Sequence, residues 1–209
     1  VSITTTLSSG FVSKWYDQSG NGNDAVQLTA GSQPKIVDAG VLLTTGGNPS
    51  VDFYNNSLLE TSAFTDGSAS SIFSVINNQS ANSTRKVFYT KLDFPNKGVV
   101  WNYRGDRSAG EYDFVSYDGS ANSLTSSDST SPFHFVSSTI INSDKEVFIN
   151  GTSKATNSDT FVLDDGSLAL GDAVFGTGFD FQEIIIYNSD QSDNRTAFEA
   201  NIGETYGID

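Results

Sequence analysis

E-V-F-I-N-G-T-S-K-A-T, residues 146–156, decides the fold class. Its two halves are short and rich in β-branched residues, and Asn150-Gly151 sits between them. Asn-Gly tolerates positive φ, so a two-residue loop reverses the chain there and predicts a β-hairpin. Outward from it the period stays at two. VFYTKL (87–92), GVVWNYR (98–104), EYDFVSY (111–117), PFHFVSSTII (132–141) and KEVFIN (145–150) are runs of Val, Ile, Phe, Tyr and Thr. Turn formers separate the runs: Gly46-Gly47-Asn48-Pro49, Asp66-Gly67, Pro95-Asn96, Asp118-Gly119 and Asp165-Gly166. Roughly a dozen short strands at this spacing predict an all-β, two-sheet antiparallel sandwich.

F-D-F-Q-E-I-I-I-Y (179–187) begins by alternating and ends almost continuously apolar. That pattern predicts a central strand buried on both faces. A helix follows. Ser192 or Asp193 is its expected cap, Ala197, Phe198, Ile202 and Tyr206 form its stripe, and Gly207 is its stop. Gly203 inside it costs about 1 kcal/mol relative to Ala. The expected place of this helix is the sandwich edge, over an exposed strand. Residues 1–10 read as an extended lead-in or the remnant of an upstream segment, and 11–209 as one sandwich domain. SANSLTSSDSTS (120–131) reads as a surface loop. Five N-x-Ser/Thr sequons, starting at Asn55, Asn78, Asn82, Asn150 and Asn194, are expected by chance at this composition.

Composition narrows the function. The 209 residues suit one domain. Eleven Lys+Arg against 25 Asp+Glu give a formal charge of −14. Such a surface repels nucleic acid and anionic membranes, and it suits divalent cations. No run reaches the ~20 apolar residues of a membrane span, so no membrane insertion is expected. The absence of Cys excludes disulfides, zinc–thiolate sites and thiol nucleophiles. Met is absent even at position 1, which predicts a segment cut from a longer chain or processed at its start. With 15 Phe, 8 Tyr and 2 Trp, this is a folding chain rather than a disordered one.

Catalysis finds little support. The lone His134 sits in a strand pattern, and no G-x-S-x-G elbow accompanies it. Acids are plentiful, yet no paired-carboxylate strand motif E-x-D-x-x-E is present. Aromatic and polar residues gather elsewhere. Trp101, Tyr103, Arg104 and Asp106 lie on and just past one strand, and Tyr112 on the next. Trp101 and Tyr103 share a face. That face is a sugar platform if it meets solvent, and core if it turns inward. The string D-Q-S-G-N-G-N-D (17–24) packs short side-chain oxygens around two glycines. Calcium asks for six to eight such oxygens, but Asp and Asn also fix a turn without metal by accepting backbone N–H groups. One of Trp15 and Tyr16 is expected in the core and the other at the rim.

WYDQSGNGNDAVQ (15–27), QPKIV (33–37), SVDF (50–53) and F-x-x-E-I-I-I-Y-N-S-D-Q-S (181–192) together resemble the concanavalin A-like, laminin-G-like jelly-roll superfamily. The two outer blocks bracket nearly the whole chain. Within that superfamily the first block is similar to modules of secreted bacterial proteins and of phage tails or appendages, and to part of the fungal arabinofuranosidase sandwich. In the bacterial and phage relatives a further strand-bearing segment usually precedes it. The resemblance implies a structural Ca2+ held by Asp17, Asn21, Asn23 and Glu183, although Gln182 stands where an Asp is often found. It implies a non-catalytic carbohydrate-binding or adhesion module, extracellular, at the cell surface or on a virion. Its partners would be a glycan or cell-surface polysaccharide, and protein partners in a larger assembly. The alternatives are an assembly domain of a phage appendage and a polysaccharide-degrading enzyme. A shared sandwich does not carry chemistry with it.

Overall fold

The computed structural model describes residues 7–54, 56–62, 70–78, 84–90, 98–104, 111–117, 121–126, 134–141, 144–158, 166–171 and 178–208. The strands between 84 and 126 are described as backbone. In chain order the strands are β1 (Gly10–Phe11), β2 (Lys14–Trp15), β3 (Ala25–Val26), β4 (Lys35–Asp38), β5 (Val41–Leu42), β6 (Thr44–Thr45), β7 (Asn48–Pro49), β8 (Val51–Tyr54) and β9 (Leu58–Glu60). There follow β10 (Ser70–Asn78), β11 (Thr84–Thr90), β12 (Gly98–Arg104), β13 (Glu111–Tyr117), β14 (Ala121–Ser126) and β15 (His134–Ile141). The last are β16 (Lys145–Ile149), β17 (Thr152–Asn157), β18 (Leu168–Gly171) and β19 (Gly178–Tyr187), before the helix α1 (Arg195–Tyr206).

One sheet runs β1-β4-β8-β19-β10-β15-β16-β17, and the other runs β14-β13-β12-β11-β18-β9-β3-β2. Every described pairing is antiparallel. The molecule is therefore a two-layer jelly-roll sandwich with one short C-terminal helix. The hairpin expected at Asn150-Gly151 joins β16 to β17, with φ of 46° and 72° at the two loop residues.

The stretch read as a loop, 120–131, holds a strand. Tyr117 pairs with Ala121 and Phe114 with Leu124, so β13 and β14 form a hairpin across 118–120. β14 is the outermost strand of its sheet, and an edge strand tolerates the Ser- and Asn-rich composition that hid it.

Four central strands carry apolar residues on both faces. Ile72, Ile76, Phe135, Ile141, Val147, Ile149, Phe179 and Phe181 are buried between the sheets. Phe73, Val75, Val136, Ile140 and Phe148 face the opposite way, beneath α1. In β19 the allegiance changes partway. Phe179 and Phe181 belong to the inter-sheet core, and so do Ile184 and Ile186. A bulge makes this possible. Val75 pairs with Glu183 and Ile76 with Phe181, which leaves Gln182 as the extra residue and shifts the alternation by one. Ile185 and Tyr187 then pack under the helix.

α1 lies on this outer face rather than on the sandwich edge. Phe198, Ile202 and Tyr206 seat it there, while Ala197 is exposed. The physical reason is the second apolar face of β10, β15, β16 and β19, which offers far more area than a strand edge. A 3-10 turn at Ser192–Asn194 precedes the helix, and Asn194 occupies the cap without a side-chain bond. Gly207 ends it in the left-handed region, as expected. Gly203 is more than a weak point. A Cβ there would stand 2.7 Å from the Ile208 carbonyl oxygen, so the glycine lets the tail fold back onto the helix.

The outer face also carries a polar row. Lys35, Asp52, Asp180, Asn77 and His134 are successive cross-strand partners over β4, β8, β19, β10 and β15. Asp180 accepts hydrogen bonds from Asn77 Nδ2 (2.9 Å) and Thr45 Oγ1 (3.2 Å). Asp52 Oδ1 is buried with no hydrogen-bond partner. Burial, then the neighbouring Asp180, push the Asp52 carboxyl up to about 6. The folded protein thus holds this proton more tightly than the unfolded chain. Its contribution to stability is full below about pH 4 and is lost as pH rises through about 6. Asp52→Asn is expected to stabilise the protein at pH 8 by about 1–2 kcal/mol, after discounting for solvent screening, and to change little at pH 4. Urea melts at the two pH values check this. Equal shifts at both would rule out a titration effect.

Candidate functional site

β8 pairs with β19 only as far as Phe181. Among the described residues, β19 from Glu183 to Tyr187 therefore has a strand partner on one side alone, β10. On the open side lies a groove of about 750 Å3. Its floor is apolar, with Leu168, Leu170, Ile184 and Ile186. Its lip is the end of β2 and the segment after it: Trp15, Tyr16, Asp17, Gln18, Asn21 and Asn23. The N-terminal string and the closing strand, far apart in sequence, thus line one cavity. Trp15 packs against the inter-sheet core while Tyr16 is 63% exposed, which divides the pair between core and rim as expected.

The four residues expected to hold calcium, Asp17, Asn21, Asn23 and Glu183, all line this groove. Asp17, however, turns both carboxylate oxygens on its own loop. Oδ1 accepts the Ser19 N–H (2.8 Å), and Oδ2 accepts the Ser19 hydroxyl (2.8 Å) and the Asn23 N–H (3.0 Å). These bonds, led by the Ser19 N–H, hold its carboxyl below the usual carboxylate range. Asp24 accepts the Asp17 N–H (2.9 Å) and pairs with Lys14 at 2.5 Å. Gly20 and Gly22 supply the positive φ, 86° and 77°, that lets the loop close on Asp17. Among the described residues no three His, Asp or Glu converge. Asp17 thus spends both carboxylate oxygens inside its own loop. Calcium is accordingly expected to leave the melting temperature unchanged within about 1 °C, since binding to the folded state alone would raise it. A rise of several degrees that EDTA reverses would restore the metal.

Gln182 is a residue that sequence reasoning placed only as a departure from a pattern. Its amide nitrogen lies within hydrogen-bonding distance of the carbonyls of Thr45 (3.0 Å), Asn48 (3.1 Å) and Pro49 (3.3 Å). Its Oε1 meets His134 Nε2 at 2.6 Å. An amide oxygen only accepts, so His134 donates from Nε2. The β6–β7 hairpin is thereby pinned to β19 beside the groove.

The aromatic positions lie in the other sheet. Leu59, Leu170, Phe88, Trp101, Phe114 and Leu124 are successive cross-strand partners, and Tyr103 pairs with Tyr112. Positions 101 and 114, like 103 and 112, are thus direct cross-strand partners on β12 and β13. Arg104 stands opposite Glu111 in the register. Asp106 lies outside the described residues.

The fold is an antiparallel two-layer β-sandwich with a groove beside β19. No family model and no curated protein matches the chain. Solved structures do. The binding domain of botulinum neurotoxin serotype D is similar at a TM-score of 0.60 and 15% identity, over 94% of this chain and 50% of that one. The binding domain of Paraclostridial Mosquitocidal Protein 1 gives 0.63 and 13%, over 96% and 51%. Domain 4 of an extracellular arabinanase from Geobacillus stearothermophilus, in complex with arabinotriose, gives 0.59 and 15%, over 72% and 76%. The chain thus spans about half the length of the two toxin structures. At these identities the likeness shows the fold. No helix among the described residues is long and apolar enough to cross a membrane.

Proposed function

We propose that this chain is a non-catalytic glycan-recognition module of an exported or surface protein of the bacterial or phage type. The observation that carries the reading is the groove, where an exposed tyrosine and a rigid polar turn flank a cavity large enough for a short oligosaccharide. Its supports are the laminin-G-like blocks at both ends of the chain and a fold shared with toxin binding domains and an arabinanase domain. An extracellular, cell-surface or virion location belongs to the same proposal.

Tyr16→Ala tests it. The side chain is mostly exposed, so the melting temperature is expected to stay within about 2 °C. Glycan affinity is expected to fall at least about tenfold, the loss of one stacking partner. Unchanged affinity on a glycan array would move the site away from the groove. Trp101, Tyr103, Arg104, Asp106 and Tyr112 are the second place to look. Trp101→Ala and Tyr103→Ala on the same array assign it there if binding goes while the melting temperature holds.

A further inference from the structure

We infer that the groove accepts a glycan that is uncharged or carries an amine and turns away carboxylated sugars. This rests on the glycan reading above and names the ligand class. Among the described residues that line the groove, the charged side chains are Asp17 and Glu183, and no Lys, Arg or His joins them. Lys14, next to the lip in sequence, is already committed. It pairs with Asp24 at 2.5 Å and lies over the Tyr16 ring, 4.7 Å from its centroid. The whole chain adds a field of −14.

A carboxylated sugar entering here meets a carboxylate of like sign beside an apolar floor, where water screens the repulsion less than in bulk. It also finds no guanidinium fork to take its two oxygens. A sugar ammonium meets the reverse. Glu183 gives it a counter-charge, and the free face of Tyr16 gives it a π-surface. A neutral sugar still finds donors and acceptors. The Tyr206 hydroxyl stands at the wall beside Glu183, and burial first, then that carboxylate, push its pKa up, so it remains protonated at neutral pH. Asn21, Asn23 and Gln18 add amides on the lip.

The test is a microarray of neutral, amine-bearing and carboxylated oligosaccharides, probed with the whole chain in 0.15 M salt. The expected hits are neutral or amine-bearing, with carboxylated sugars of the same size at least about tenfold weaker. Glu183→Lys is expected to reverse that order. Asp144→Lys, the same charge change at an exposed residue just before β16, is expected to leave the order alone. Hits confined to carboxylated sugars would overturn the inference and leave the glycan reading standing. So would an equal effect of the two lysine variants, which would trace the preference to bulk charge. No hit of any class would end the glycan reading itself, and the inference with it. Circular dichroism melts confirm that each variant is folded.

Discussion

Gly171→Ala is expected to cost about 3–5 kcal/mol, lowering the melting temperature by roughly 10 °C. Two effects add at this position. Its φ is +86°, a region costly for any residue with a Cβ. A Cβ there would also lie 2.4 Å from the Ser57 carbonyl oxygen and 2.7 Å from Phe53 Cδ1. Neither neighbour gives way easily. Ser57 is buried backbone beside β9, and Phe53 is fully buried between the sheets. Gly47→Ala is the control, because φ is again +86° but nothing lies within 4 Å of its Cβ. It carries the backbone strain alone, about 1–2 kcal/mol. Urea titration of the two variants separates the contributions, and equal losses would remove the steric one.

The second large effect lies in the pair Phe53 and Phe181. Both are fully buried, on the adjacent strands β8 and β19, with ring centroids 5.4 Å apart and planes at 77°. Either truncation to Ala is expected to cost about 3–5 kcal/mol, the sum of lost burial and a cavity. The double variant is expected to lose about 0.5–1.5 kcal/mol less than the sum of the singles, because the edge-to-face contact is then counted once. A cycle that closes to zero would show that the two rings act independently. Phe181→Leu, which keeps most of the volume, is expected to recover more than half of the loss.

Much of this architecture was legible in the sequence where local chemistry and period agreed. Asn150-Gly151 announced its hairpin because the turn itself demands those residues. β12 and β13 matched their runs to the residue, since alternation and β-branching pointed the same way. β14 did not, because an edge strand needs little apolar character and so resembles a loop. The helix was found, but its seat was not. Nothing in its own stripe tells an edge from a face. That information lies in β10, β15, β16 and β19, whose residues are apolar on both sides. For the site, the string 15–24 and the closing strand were both visible, and their juxtaposition across the groove was the expected one. The bonds of Asp17 were not readable, because the same residues spell a metal shell or a turn until distances decide which donors they meet. Gln182 was seen only as an odd residue in a pattern, since its role is geometric rather than chemical.

That role reaches further than its own bonds. Phe179 and Phe181 occupy odd positions and Ile184 and Ile186 even ones, yet all four serve a single interior. The residue that reconciles the two parities belongs to neither apolar cluster. Were it deleted, Phe181 and Glu183 would become neighbours on a regular ladder, every partner on β10 would be kept, and the isoleucines would stay inward. What the insertion supplies is a side chain out of step with the ladder, which ties down the β6–β7 hairpin and His134, so the C-terminal third depends on that amide and not on the added length.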